Sequence, residues 1–463
     1  MSSITLGQPN QNVRANELVL ARVVGLVALL LVAGHLLLGT FQPHVRFHPV
    51  LYLSLFAVFV GLRVKGWEVF ERTQFDLFFV AWLVLAALSQ LYATNVLGRV
   101  IYALDILEYL YVILQSWAVY RGAFALVKAA PRAGSQGILY SILAICMFSA
   151  LLGIAQSTGA KSAADTVANN LGSRKDVTQM SEDYDESPRP SGLLSSPTML
   201  GSYNVYGTIV TIAIAIAFGF RLSIRQLPWL LLANGVLLAC SVTSQVRLAL
   251  IQQFGLLAFF AVYTLFKAQR TVAAVAVLAF AFGLIAFNRV VVERNDPRFQ
   301  YITRTFEGKF FSDESLTVRL EAWNRIGDVA TELAPLGAGF TQLTSNAYAR
   351  RGDIYARANG PDNGFLEAYL IHGIPGVLLV LFLIYTGFSL QNKLKGVSVD
   401  YVQMIRWSVL LSIVVFPILS SGLVVTHSKF ERSGYLLLLM GAAAALVSIA
   451  AARPRLGQPP AAS

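Results

Sequence analysis

Apolar runs long enough to cross a bilayer recur from residue 18 to residue 451, with polar stretches between them. A spanning helix needs about 20 mainly apolar residues. That rule marks 18–39, 48–64, 75–92, 98–119, 137–156, 201–220, 227–244, 248–267, 271–288, 364–388, 403–424 and 434–451, about twelve spans. No small-residue cleavage site follows the first run, and further spans come close behind it. It therefore reads as a retained helix rather than a signal peptide. The expected fold class is all-α: a polytopic transmembrane helical bundle with a large extramembrane cap before the tenth span.

Lysine and arginine in short connections orient such a bundle, because they are retained on the cytoplasmic side. Arg63, Lys65, Arg72, Arg121, Lys128 and Arg132 fall on one side, together with Arg221, Arg225, Lys267, Arg270, Lys393, Lys395, Arg453 and Arg455. The short links near 40–47, 93–97, 245–247 and 425–433 are poorer in basic charge, despite Arg46, Lys429 and Arg432. The reading is thus a cytoplasmic tail at 1–17 and a nine-span membrane domain at 18–288 that carries an outer loop at 157–200. A large outer loop at 289–363, three spans within 364–451 and a second cytoplasmic tail at 452–463 follow.

Composition agrees. Of 463 residues, 56% are hydrophobic and only 13% charged, against roughly 25% charged in soluble domains. The net charge of +11 is accounted for by the inner loops, so nucleic acid is not an expected partner, whereas membrane lipid is. Cys146 and Cys240 both lie inside apolar runs and read as small buried hydrophobes. The five histidines are scattered, and no metal-ligand spacing results.

The two outer loops differ. The 157–200 loop turns acidic around Glu182–Glu186 and ends in the Pro- and Gly-bearing stretch from Pro188 to Gly207, which suits a structured turn. The 289–363 loop carries ten basic and ten acidic side chains. Within it, Leu316, Leu320, Trp323 and Ile326 recur at near-helical spacing, and Pro335-Leu-Gly-Ala-Gly-Phe forms a turn. It reads as a folded cap.

Charged residues at membrane depth are costly and mark candidate chemistry. Asp105 and Glu108 stand three apart on the fourth span; they suit a structural network or the lining of a substrate path, and a proton relay is the alternative. Arg22 can snorkel to the inner interface. Arg247, at the outer junction of the seventh and eighth spans, and Arg319, on the amphipathic helix of the cap, suit either surface anchoring or phosphate binding. Asp362 precedes the tenth span. It suits an N-cap or a general base, with Asn363 beside it to orient the base or bind sugar hydroxyls. His372 lies about ten residues on, roughly 15 Å deeper in a straight helix, and suits packing or a polar network. No phosphate-binding glycine loop and no HExxH occurs.

Five segments taken in order carry a resemblance. They are RPSGLLSSPTMLGSYN (Arg189–Asn204), SQVR (Ser244–Arg247), RLEAW (Arg319–Trp323), PLGAGF (Pro335–Phe340) and DNGFLEAYLIHGIPG (Asp362–Gly376). In sequence and spacing the chain resembles the O-antigen ligase and Wzy polymerase superfamily of bacterial membrane glycan enzymes, over most of 18–451. The resemblance implies a glycosyltransferase of the bacterial inner membrane, working on the periplasmic face without metal or other cofactor. Its donor would be an undecaprenyl-pyrophosphate-linked glycan. By position, Arg247 and Arg319 would bind the donor pyrophosphate, Arg189 would support them, and Asp362 would be the catalytic base. Ligases of the family usually place histidine where this chain has Asp362, so the expectation is a polymerase of lipid-linked repeats, serving O-antigen, capsule or exopolysaccharide synthesis. A chain-length regulator or other assembly protein is the implied partner. The alternatives are a ligase acting on lipid A-core, a protein O-glycan transferase, a non-enzymatic transporter or scaffold, and His427 as the base. A transporter's inverted repeats are not found in the sequence.

Overall fold

The computed structural model describes residues 11–34, 49–98, 103–157, 190, 192–193, 197–218, 226–244, 246–266, 324, 334–339, 364–415 and 430–452. Among them are eleven α-helices and no strand: α1 (Gln11–Ala33), α2 (Pro49–Lys65), α3 (Gln74–Asn95), α4 (Ala103–Ala129), α5 (Pro131–Ser157), α6 (Pro197–Ala217), α7 (Gln226–Thr243), α8 (Arg247–Phe266), α9 (Gly364–Lys393), α10 (Asp400–Ile413) and α11 (Phe430–Ala452). A 3₁₀ turn, Gly66–Phe70, continues α2. Each helix falls on an expected span. The remaining expected span, 271–288, lies outside the described residues, as does most of the cap. Among the described residues, eight helices are long and apolar enough to cross a membrane, so the protein is a polytopic helical membrane bundle.

α3 shows how such a helix sorts its faces. Leu77, Val80, Val84, Leu88 and Leu91 recur at helical spacing and are all exposed, an apolar stripe that water would penalise and lipid accepts. The opposite face buries Phe75, Phe78, Phe79 and Trp82, but also Ser89 and Gln90. Polar side chains turn inward because hydrocarbon offers them no partner. Trp67 and Trp229, 82% and 71% exposed, sit near helix ends, where an indole suits the headgroup layer.

The centre of the bundle is α4, packed mainly against α2 and α11. Lipid tails are as apolar as leucine, so helices associate in a membrane through close packing, and small residues permit it. A Cβ on Gly61 of α2 would lie 2.7 Å from the Ala125 Cβ of α4, and one on Gly122 would lie 3.1 Å from the Ser54 carbonyl oxygen. Gly441 of α11 lies against the Tyr120 carbonyl in the same manner. Cys146 and Cys240 are buried and unbridged, as expected of small hydrophobes.

The C-terminal end of α4 differs from the expectation that placed Arg121 and Lys128 in a loop. At 27 residues the helix is about 40 Å long, longer than the hydrocarbon core, so both basic residues stay helical. The Arg121 guanidinium is buried and pairs with Asp76 at 2.5 Å. It also donates to the carbonyls of Val69 (3.3 Å) and Glu71 (3.0 Å). Asp76 closes a capping box with Thr73 at the start of α3, satisfying amides that the first turn leaves without helical partners. Lys128 reaches Glu71 at 2.9 Å, and the Ser448 hydroxyl of α11 donates to the same carboxylate at 2.5 Å. That hydroxyl first, and the Lys128 ammonium beside it, hold the Glu71 carboxyl below its usual value, against the opposing effect of burial.

Candidate functional site

The opposite end of the bundle gathers the C-terminal ends of α3, α5 and α7 and the N-terminal ends of α4, α6, α8 and α9. Side-chain bonds show the alternation: Ser389 and Lys393, late in α9, meet Gln74 at the start of α3, while His372, early in α9, meets Ser89 late in α3. α9 and α3 therefore run antiparallel.

α9 is not one straight helix. Gly373 leaves the helical region, with φ 65° and ψ −152°, a conformation reserved for glycine. Pro375, two residues on, has no N–H to offer the Ile371 carbonyl four positions back. Carbonyls at the end of the first segment thus need other donors. The Pro335-Leu-Gly-Ala-Gly turn supplies them: the Ala338 amide donates to the Leu370 carbonyl at 2.7 Å and the Gly339 amide to the Ile371 carbonyl at 3.0 Å. The fit depends on missing side chains. A Cβ on Gly337 would lie 2.5 Å from the His372 amide nitrogen, and one on Gly373 would collide with the Pro335 carbonyl. The other side of the turn rests on α3, where the Tyr92 hydroxyl donates to the Ala334 carbonyl and a Cβ on Gly339 would lie 2.9 Å from Gln90 Oε1.

Below the break, a fully buried polar chain ties α9 to α3 and α4. Trp82 Nε1 donates to Tyr109 Oη at 2.9 Å, Tyr109 Oη lies 2.7 Å from His372 Nε2, and His372 Nδ1 lies 3.0 Å from Ser89 Oγ. One assignment satisfies every group: the phenol gives its proton to Nε2 and the imidazole gives the Nδ1 hydrogen to serine. His372 is therefore the polar-network residue expected of it, placed directly before the break at Gly373. Glu367, one turn before it, is also buried.

A second pinned loop sits on α5. Gln156 accepts from the Gly192 amide at 2.9 Å through Oε1 and donates to the Gly192 carbonyl at 3.4 Å through Nε2. Ser149 Oγ accepts from the Leu193 amide at 3.3 Å. Gly192 has φ 61°, so one side-chain amide holds both polar groups of a left-handed residue. Replacing Gln156 by alanine strands both, and a loss of about 1–3 kcal/mol is expected; thermal unfolding in detergent measures it. An unchanged melting midpoint would show that the loop is held some other way.

Between α6, α7 and α8 runs a polar seam. Gln253 Nε2 donates to the Asn204 carbonyl (3.3 Å) and Thr208 Oγ1 (3.1 Å), and Asn204 Nδ2 donates to Ser241 Oγ (3.0 Å). α8 opens at Arg247 directly after α7 closes at Thr243, the tight junction expected there. A Cβ on Gly201 of α6 would lie 2.7 Å from Val246 Cγ1, so this junction abuts the start of α6.

Of the residues singled out from sequence, Arg247 is the first of α8, and Asp105 and Glu108 fall in the opening turns of α4; their side chains lie outside the described residues. Arg189, Arg319, Asp362, Asn363 and His427 lie wholly outside them. Asp362 and Asn363 directly precede Gly364, where α9 begins. Sequence reasoning missed Gln156, Ser89, Tyr92, Trp82 and Tyr109. Glu367 lay in the motif DNGFLEAYLIHGIPG without being singled out, and the others carried no local signal, since a lone polar residue in an apolar run is commonplace.

No curated protein matches the chain. Residues 232–381 match the O-antigen ligase family model, Wzy_C, a stretch that holds Arg247, the Pro335–Gly339 turn and the first part of α9 with its break at Gly373. Over that stretch, about a third of the chain, the protein is similar to the O-antigen ligase/Wzy superfamily.

Proposed function

We propose that the protein polymerises undecaprenyl-pyrophosphate-linked oligosaccharide repeats at the periplasmic face of the bacterial inner membrane. The observation that carries this reading is the coincidence of the O-antigen ligase match with Asp362 at the head of α9. A histidine at that position would favour ligation, and the carboxylate favours elongation. The lysine and arginine of one set of short connections support cytoplasmic termini and, with them, heads of α8 and α9 on the periplasmic side.

In this mechanism Asp362 takes the proton of an acceptor sugar hydroxyl as its oxygen attacks the donor's anomeric carbon. The glycosidic bond to phosphate breaks, and the electron pair leaves with undecaprenyl pyrophosphate. Inversion at the anomeric carbon follows from displacement on the opposite face. Arg247 and Arg319 bind the pyrophosphate and stabilise the charge it gains on departure; Arg189 supports them, and Asn363 orients the base or a sugar hydroxyl. Asp105 and Glu108 line the substrate path. The donor is already activated, so no metal or other cofactor is required, and a chain-length regulator would act on the product.

Reconstitution with one purified lipid-linked repeat tests the reading. The expected products are longer lipid-linked oligomers and free undecaprenyl pyrophosphate. A parallel reaction supplied with lipid A-core detects ligation, and transfer confined to that acceptor would replace polymerase by ligase. Absence of any transfer would leave transport or scaffolding. Each guanidinium–phosphate contact is worth about 1.5–3 kcal/mol as a charged hydrogen bond. Removing Arg247 and Arg319 together is therefore expected to weaken donor binding at least tenfold by titration, and unchanged binding rules out the pyrophosphate clamp.

A further inference from the structure

The Pro335–Gly339 turn joins two parts of the candidate site that lie far apart in sequence. The chain reaches Ala334 from the cap segment that contains Arg319, and it reaches α9 through Asp362 and Asn363. The turn is gripped from two sides: α9 takes the Ala338 and Gly339 amides, and α3 takes the Ala334 carbonyl through the Tyr92 hydroxyl. The first grip is backbone to backbone, so sequence can alter it only through the glycines. The second is a single side-chain hydroxyl on the last turn of α3, half-buried at the rim of the bundle.

We propose that Tyr92 is a positioning residue for glycan transfer: its hydroxyl clamps the 334–339 turn between α3 and the broken helix α9, and the chain leads from this turn back to the segment of Arg319 and on to Asp362. The proposal rests on the transfer function proposed above. Holding a catalytic group in attack geometry accelerates reaction without tightening substrate binding, so the clamp acts on turnover. Phenylalanine fills the same space and removes only the hydroxyl.

The experiment compares wild-type protein with Tyr92→Phe in lipid nanodiscs, using the purified lipid-linked repeat as substrate. In Tyr92→Phe, kcat is expected to fall about three- to tenfold, the worth of one hydrogen bond, at unchanged KM for the repeat and unchanged melting midpoint. The Ala338 and Gly339 amides are expected to exchange with deuterium faster than in wild type. Gly339→Ala, strained at φ 74° with its Cβ 2.9 Å from Ala93 Cβ, is expected to lower kcat further. A Tyr92→Phe variant that turns over like wild type overturns the proposal, as does a fall in kcat matched by a fall in melting midpoint, which marks a merely structural residue. If wild type itself does not elongate the repeat, the polymerase reading fails. Amide exchange then still decides the clamp, because protection equal in the two proteins overturns it.

Discussion

Replacing Asp362 by asparagine is expected to cut elongation of a lipid-linked repeat by about 10²–10⁴-fold, the usual contribution of a general base. The substitution separates the two roles the position can play. For capping α9 the substitution costs nothing: the helix begins at Gly364, so by position the residue before it is Asn363, which Asp362→Asn leaves untouched. As a base asparagine fails, because a neutral amide does not take a proton at neutral pH. Loss of turnover with unchanged stability and donor binding identifies the base, and full turnover excludes it. His427→Ala, measured alongside, tests the competing base.

The second large effect belongs to Gly373. Alanine there meets two penalties. Its backbone would sit at φ 65° and ψ −152°, a conformation that costs an L-residue about 1–3 kcal/mol. Its Cβ would collide with the Pro335 carbonyl, and overpacking of this kind typically costs about 1–3 kcal/mol more. A loss of about 2–6 kcal/mol is expected, read as a lowered melting midpoint and reduced accumulation in the membrane. The alternative to unfolding is expulsion of the turn, which would leave the Leu370 and Ile371 carbonyls without the Ala338 and Gly339 amides. Increased proteolysis near 334–339 would report it. A Gly373→Ala protein of wild-type stability would show that the break in α9 tolerates a side chain.

Legibility in the sequence was uneven for physical reasons. The spans were readable because a stretch that must sit in hydrocarbon has to be apolar along its own length. The eighth span was marked at 248–267 and the helix runs Arg247–Phe266, because a tight junction punctuates it. Which face of α3 meets lipid was not readable: Leu88 and Phe78 are both apolar, yet one is exposed and the other fully buried. Arg121 misled, since a basic residue normally ends a span. Here Asp76 and two backbone carbonyls bind its two terminal nitrogens while it stays within the helix. The motif IHGIPG showed a glycine and a proline close together in a span, but not what would bind the carbonyls they release.

The apolar pattern by itself determined that this is a polytopic helical membrane protein, and the loop charges set an expected orientation. Both are properties of transfer between water and lipid, and each segment carries them alone. Only the tertiary structure decided that α9 breaks around a docked turn, that Gln156 holds Gly192, and that His372 closes a chain with Tyr109, 263 positions away. Inside a membrane a buried polar group is costly without a partner. That partner is chosen by which helices touch, not by what lies next in the chain.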